Sequence, residues 1–174
     1  MHIYKVLTTK GSDKKMKTLE NDFLDSSAFS YSMWSEPSPQ KSINITPGRF
    51  IYSVGPFTVP LIPVTVYLDG KAFATDRAMI DTGSNQTIVF RSFIGDIKQE
   101  AIRGRTLATA GGQIKNVNAY KANIELPAQI KVSDIEILYS EQMSAIDVLI
   151  GVDILSCGVF VYDGPNRRFL FEVK

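Results

Sequence analysis

From residue 57 onward the apolar residues fall into short runs that are separated by turns containing glycine, proline or aspartate. Residues 64–68 alternate between apolar and polar side chains, and Asp69-Gly70 then gives a strong hairpin signal before residues 71–80. A period of two residues is typical of strands that bury one face. We therefore predict that most of the chain folds as an all-β domain of short strands.

A carboxylate stands directly after the second strand of this hairpin, in the sequence MIDTGS at residues 79–84. The apolar run resumes at residues 88–90, so Asp81 is predicted to lie in a tight loop between two buried strands. Gly83 would allow a backbone geometry that a side chain obstructs. The segment is either an active-site loop or an ordinary turn, because Asp, Thr, Gly and Ser are all common turn residues.

The strand pattern continues on both sides of this loop. The prolines in residues 57–63 favour an edge strand, residues 88–93 are predicted as strand, and residues 97–105 as loop or irregular strand. Residues 106–126 predict a hairpin with Ala110, Gly111 and Gly112 at a flexible tip, which is alternatively an ordinary connection. Further strands are predicted at residues 130–139 and 145–150, a short helix at 152–157, and a final hairpin over 159–173.

The first quarter of the chain has a different composition. Residues 14–25 place apolar side chains at helical spacing and predict a short amphipathic helix, whereas residues 26–48 are polar and contain prolines, as in a linker. A chain of 174 residues is long enough for one domain with a sizeable core. We therefore expect an N-terminal extension or leader over residues 1–45 and a compact domain over residues 46–174.

Composition restricts the partners and the compartment. Lys and Arg number 19 against 18 Asp and Glu, and this balance does not favour nucleic acid or acidic membranes as partners. Cys157 is the single cysteine, so neither an intrachain disulfide nor a cysteine zinc site is expected, which suits the cytoplasm. No segment approaches the roughly 18 consecutive apolar residues of a membrane helix.

Composition also restricts the chemistry. His2 is the only histidine, which argues against a Ser-His-Asp or Cys-His nucleophile and against a histidine-rich metal site. Catalysis by Asp or Glu remains, with no metal and no cofactor expected.

In their order along the chain, these motifs resemble the retropepsin-like aspartic proteases, the single-domain class of retroviruses and retroelements that also includes cellular and bacterial proteins. Residues 79–84 are similar to the catalytic loop, residues 109–113 fall where the family has its flap, and residues 148–151 resemble its apolar strand that ends in glycine. Residues 154–157 fall at the lone short helix of that family. The resemblance implies a closed acid-protease β-barrel with one short C-terminal helix.

Three positions depart from the viral pattern. Ser84 stands where many retropepsins have alanine, and Val152 stands where viral enzymes usually have an arginine in an intersubunit ion pair. Asp153 is similar to the pattern of cellular relatives. The resemblance therefore implies a subunit interface that is stabilised differently from the viral one.

Peptide hydrolysis by carboxylates needs two of them sharing a proton, and this chain has a single Asp-Thr-Gly. The resemblance thus implies a homodimer in which Asp81 of each subunit meets across a two-fold axis and acts on a peptide or protein substrate. It also implies that Thr82 bonds across the dimer, that Gly83 donates its N–H to Asp81, and that the Ser84 hydroxyl bonds the outer carboxylate oxygen.

The resemblance further implies that the flap residues Ala110, Gly111 and Gly112 close over the substrate. Val89, Ile150 and Val152 are candidates for lining side-chain pockets, although Val89 and Ile150 fit a plain core role equally well. Asp147 and Asp153 are predicted to be structural and to bond loop amides. The alternative function is a non-catalytic domain that keeps the protease fold to dimerise or to bind peptides.

Overall fold

The computed structural model describes residues 43–54, 59–108, 114–141 and 145–174. The predicted N-terminal helix, most of the predicted linker and the predicted flap tip lie outside the described residues. In the described part of the chain the strands are β1 Asn44–Ile45, β2 Gly48–Ser53, β3 Leu61–Leu68, β4 Lys71–Ile80, β5 Ile88–Phe90, β6 Arg103–Ala108, β7 Ile114–Leu126, β8 Ile130–Ser140, β9 Val148–Ile150, β10 Val159–Asp163 and β11 Arg168–Val173.

Among the described residues, helical structure is confined to short segments. The helices there are α1 Arg91–Ile94 and α2 Val152–Leu155, and a 3₁₀ turn over Pro127–Gln129 joins β7 to β8. In the described residues, no helix is both long and apolar enough to cross a membrane.

Six strands close into a barrel. Hydrogen bonding runs in the order β8-β5-β9-β4-β3-β7, and β7 pairs back onto β8, while β1 and β6 flank the barrel. Closure leaves these six strands without a free edge. The predicted all-β, retropepsin-like barrel is confirmed.

Alternating side chains of the strands fill the barrel. In β3 the residues Ile62, Val64, Val66 and Leu68 are all buried, whereas the residues between them are exposed or half-buried. The predicted period of two is therefore observed. Full burial of an aliphatic side chain of this size contributes about 1.5–3 kcal/mol relative to leaving it in water.

In the described residues, the edge strand predicted at residues 57–63 corresponds to the start of β3. Leu61 and Ile62 pair with β4, whereas the pairing of β3 with β7 runs only from Thr65 to Tyr67, so this first part of the strand is paired on one side. Pro63 is tolerated there because the register to β4 shifts between Ile62 and Val64, and Pro63 lies exposed at this irregularity.

The strand predicted over residues 88–93 ends earlier than expected. After Phe90 the chain turns into α1, in which Arg91 is exposed and Ile94 is buried, so the burial period becomes helical. Gly95 ends this helix with φ of 70° and donates its N–H to the Arg91 carbonyl oxygen at 2.8 Å. Gly95 was therefore the signal in the sequence that a helix ends there. In the described residues α1 is a short α-helix in addition to the predicted C-terminal one.

The last two strands form the predicted hairpin and join a second sheet in the order β10-β11-β2. Its inner face carries Phe50, Phe169 and Phe171, which are all buried and whose rings contact one another or neighbouring aromatic rings. These residues belong to the same core as the barrel interior. The second sheet thus attaches the C-terminal hairpin to the barrel.

We predict that Ile137→Ala lowers the free energy of unfolding by about 2–5 kcal/mol, because it removes a fully buried side chain and leaves a cavity. Ile137 lies in β8 and is 0% exposed. Ile102→Ala is the matched control, since Ile102 is 46% exposed and its loss should change stability by less than about 1 kcal/mol. Urea denaturation measures both, and equal effects would contradict the assignment of the core.

Candidate active site

A short parallel strand pair positions the acidic loop. β4 pairs with β9 through Ala78 with Val148, Met79 with Leu149, and Ile80 with Ile150. The N–H of Asp81, the first residue after β4, donates to the Ile150 carbonyl oxygen at 3.0 Å. Asp81 therefore leaves the sheet at the carboxyl end of this pair, where its side chain is half-buried.

The backbone of the loop folds around the carboxylate. Gly83 donates its N–H to Asp81 Oδ1 at 2.9 Å, which is the hydrogen bond predicted for this residue. A Cβ at Gly83 would lie 3.2 Å from the same oxygen, so a side chain would crowd the carboxylate. The Ser84 N–H also donates to the Asp81 carbonyl oxygen at 3.2 Å. The loop thus holds one carboxylate oxygen in a defined position.

The role predicted for the Ser84 hydroxyl is not what the structure shows. It donates to the Gln86 carbonyl oxygen at 2.7 Å and not to the carboxylate of Asp81. The physical reason is proximity, because the turn brings the carbonyl of a residue two positions later within reach. Ser84 instead supports the loop, and its own carbonyl accepts the Val152 N–H at 2.8 Å.

A buried polar network ties the loop to α2. Thr87 is 0% exposed and donates both its N–H and its hydroxyl to the Asp153 carboxylate, each at 2.8 Å. Asp153 also accepts the Ile154 N–H at 2.9 Å, and the Gly151 N–H donates to Thr87 Oγ1 at 3.2 Å. Asp153 therefore bonds loop and helix amides, which is the kind of structural role predicted for it.

Glycine is required at position 151 because the backbone there lies against the acidic loop. A Cβ at this position would lie 2.5 Å from the carbonyl carbon of Gln86, well inside van der Waals distance. The end of β9 and the acidic loop therefore approach each other backbone to backbone, as only glycine permits.

The core contains two of the residues proposed to line pockets. Val89 and Ile150 are 0% and 1% exposed and pack inside the barrel, so their pocket role is corrected to a core role. Their neighbours Ile88 and Leu149 face the other side of β5 and β9, because side chains alternate along a strand. The plain core role, which the sequence left open for Val89 and Ile150, is therefore the one observed.

The residues on those opposite faces form a second apolar cluster. Met79, Ile88 and Leu149 pack there with Leu107 of β6 and Val117 of β7. β6 and β7 form an antiparallel hairpin with Arg103 opposite Ala119, so the predicted hairpin is present. We call this group the hairpin cluster, and two of its members, Met79 and Ile88, lie on the strands that precede and follow the acidic loop.

The remaining predicted site residues differ in what the structure describes of them. Ala110, Gly111 and Gly112 lie outside the described residues. Thr82 is exposed, and Val152 is half-buried as the first residue of α2. The described residues contain no group of three or more His, Cys, Asp or Glu side chains arranged to hold a metal ion.

Two features of the site were missed in the sequence. Among the described residues, Asp147 accepts hydrogen bonds from the side chains of Arg77 and Thr75, and not from loop amides as predicted. Thr87 was not singled out at all. A threonine at a buried strand start was its only signal, and its partner Asp153 lies 66 residues away.

Burial raises the pKa of the Asp153 carboxyl above its ordinary value of 3.8, although the hydrogen bonds from Thr87 and Ile154 act in the opposite direction. Between these two pKa values the folded chain binds more protons than the unfolded chain, so the contribution of Asp153 to stability falls as the pH rises.

We therefore predict that the unfolding free energy of the wild type minus that of Asp153→Asn decreases as the pH rises above about 4, because only the wild type titrates at this position. Urea denaturation of both proteins at several values between about pH 3 and pH 7 measures this difference. A difference that is constant or rises with pH would contradict the assignment.

Two solved structures of proteases are similar to this chain. A retropepsin-like aspartic protease from Rickettsia conorii matches with a TM-score of 0.51 and 14% sequence identity, over 76% of this chain and 96% of that chain. The EIAV protease in complex with the inhibitor HBY-793 matches with a TM-score of 0.39 and 16% identity, over 56% of this chain and 86% of that chain. No curated protein matches in sequence.

A family model described as aspartyl protease matches residues 63–154, which include the acidic loop, Gly151 and most of α2. This match covers more than half of the 174 residues. The chain therefore belongs to the aspartyl protease family and has a retropepsin-like fold.

Proposed function

We propose that the protein is an aspartic endopeptidase that hydrolyses peptide bonds with a water molecule activated by two Asp81 carboxylates, one from each chain of a homodimer. The observation that carries the proposal is the loop itself. In a member of the aspartyl protease family, Asp81 stands in an intact Asp-Thr-Gly and the Gly83 N–H holds its Oδ1 at 2.9 Å. This arrangement fixes a carboxylate as acid–base catalysis requires.

The need for a second chain follows from the count of acidic loops. The sequence contains one Asp-Thr-Gly, and the mechanism needs two carboxylates within reach of the same water molecule. A two-fold axis would bring identical loops face to face. Thr82, exposed in the single chain, is proposed to bond across that axis.

In the proposed reaction the two carboxyl groups share one proton. The ionised group removes a proton from the attacking water while the protonated group donates its proton to the carbonyl oxygen of the scissile bond. The carboxyl group that took the proton from water then gives it to the leaving amine nitrogen, while the ionised group removes a proton from a hydroxyl of the tetrahedral intermediate, and the C–N bond breaks. Because like charges a few Å apart do not both ionise readily, one of the two groups is expected to stay protonated, and activity is expected at acidic to mildly acidic pH.

The hairpin cluster gives the proposed substrate site its chemical character. Ile88 and Leu149 are 5% and 8% exposed under the β6–β7 hairpin, on strands adjoining the acidic loop. Movement of the hairpin would uncover these side chains for an extended peptide, which could pair as an added strand. We propose apolar side chains next to the scissile bond as the preferred substrate.

We predict that Asp81→Asn lowers the rate of cleavage of an unfolded-peptide library at mildly acidic pH by at least about a hundredfold, because asparagine cannot exchange the proton. Asp76→Asn is the matched control, since Asp76 is exposed on the same strand, and it should keep wild-type activity. Retained turnover by Asp81→Asn would remove Asp81 from the mechanism. If the wild type itself neither cleaves the library nor binds a statine-type transition-state mimic, the alternative function, a non-catalytic domain that dimerises or binds peptides, replaces this proposal.

We predict that a tenfold excess of the Asp81→Asn chain reduces cleavage by a fixed amount of wild-type chain to about a tenth, because most wild-type chains are then in mixed dimers. The measurement is the initial rate with peptide substrate in large excess after the chains have exchanged. Adding the same amount of wild-type chain should raise the rate. A rate that does not respond to the Asp81→Asn chain would mean that one chain is active alone.

A further inference from the structure

An ion pair with one buried partner closes the β4–β9 pair at the end opposite to Asp81. Asp147, which immediately precedes β9, is 4% exposed. Arg77 donates Nη2–H to Asp147 Oδ1 at 2.6 Å and Nε–H to Oδ2 at 3.0 Å, and the Thr75 hydroxyl donates to Oδ2 at 2.6 Å. The carboxylate is thus held by three directional bonds from β4.

The backbone of Asp147 is fixed as well. Its N–H donates to the Arg77 carbonyl oxygen at 3.0 Å, and its carbonyl oxygen accepts the Phe90 N–H of β5 at 3.0 Å. Thr75 Oγ1 also accepts the Arg77 N–H at 3.0 Å, which orients the hydroxyl toward Asp147. Asp147 therefore fixes the point at which β9 enters between its two neighbours.

Apolar burial alone does not determine how β4 and β9 align. Only three residue pairs connect the two strands, and all six residues are apolar. A slip of two residues keeps every side chain on its original face, so it costs little in the burial pattern. A bidentate Arg–carboxylate pair, in contrast, is satisfied in one alignment only.

We propose that Thr75, Arg77 and Asp147 form a register clamp that positions the Asp81 carboxylate through β4 and β9. Arg77 lies four residues before Asp81 on β4, and Asp147 lies three residues before Ile150, whose carbonyl oxygen accepts the Asp81 N–H. These three are positioning residues. Their expected effect on kcat rests on the proposed function, whereas their expected effect on the Asp81 backbone does not depend on it.

The test combines amide hydrogen exchange at Asp81 with peptide cleavage in full-length Arg77→Met and Asp147→Asn variants. Arg91→Met is the matched control for Arg77→Met, and Asp96→Asn is the control for loss of an ion pair at an exposed carboxylate. Arg91 and Asp96 form an ion pair at 2.6 Å, and the Arg91 side chain is 49% exposed against 52% for Arg77. Exchange at Asp81 is read relative to Val54, whose N–H donates to the Arg167 carbonyl oxygen in another part of the fold.

The clamp variants should raise exchange at Asp81 at least about tenfold over Val54 and lower kcat about 10- to 100-fold, with KM changed less than about twofold. The control variants should leave all three quantities at wild-type values. Thr75→Val should change exchange and kcat in the same direction but by less. Thr75→Ser, which keeps the hydroxyl, should keep both at wild-type values. The two Thr75 variants decide the question by themselves if an Asp147 or Arg77 variant does not fold.

Wild-type exchange at Asp81 in the clamp variants would overturn the proposal. A lower melting temperature with unchanged exchange at Asp81 and unchanged kcat would also overturn it, and would leave the ion pair a purely stabilising role. A wild-type protein without peptidase activity would refute the proposed function alone, because exchange at Asp81 still tests the clamp.

Discussion

The parallel pairing of β4 with β9 is the constraint on which the candidate active site depends. One strand ends at the acidic loop, and the other ends at Gly151, where α2 begins. Both strands lie within the closed barrel, so neither can shift without breaking hydrogen bonds to a further neighbour. The Asp81 carboxylate is therefore placed by two strands that are far apart in the sequence and pair directly within the barrel.

Polar groups make that placement specific. Apolar side chains drive the barrel to close but tolerate several alignments, because their attraction is not directional. Thr87, Asp147 and Asp153 are buried and would be costly to leave unpaired. Across the residues that the structure describes, no buried side-chain nitrogen or oxygen lacks a hydrogen-bond partner. The loop is thus held by apolar burial together with a set of directional bonds that only one alignment satisfies.

Much of the fold was predictable because its signals are local. The hairpin at Asp69-Gly70 and the alternating strands around it follow from turn chemistry and side-chain period, and so does the glycine-containing loop at Asp81. One error arose where two local signals conflict. The apolar residues 88–93 read as one strand, although Gly95 marks the end of a helix that starts at Arg91.

The candidate site was predictable in its loop and less so in its surroundings. By itself the sequence determined that Asp81 lies in a glycine-containing loop after a strand, because this depends on residues within a few positions, and the resemblance to the retropepsin-like proteases implied the bond from Gly83 to Asp81. Only the tertiary structure decided that Val89 and Ile150 face the core, that the Ser84 hydroxyl bonds Gln86, and that Asp147 pairs with Arg77. Which face of a strand is buried, and which of several donors reaches a carboxylate, depend on strands brought together from distant parts of the chain.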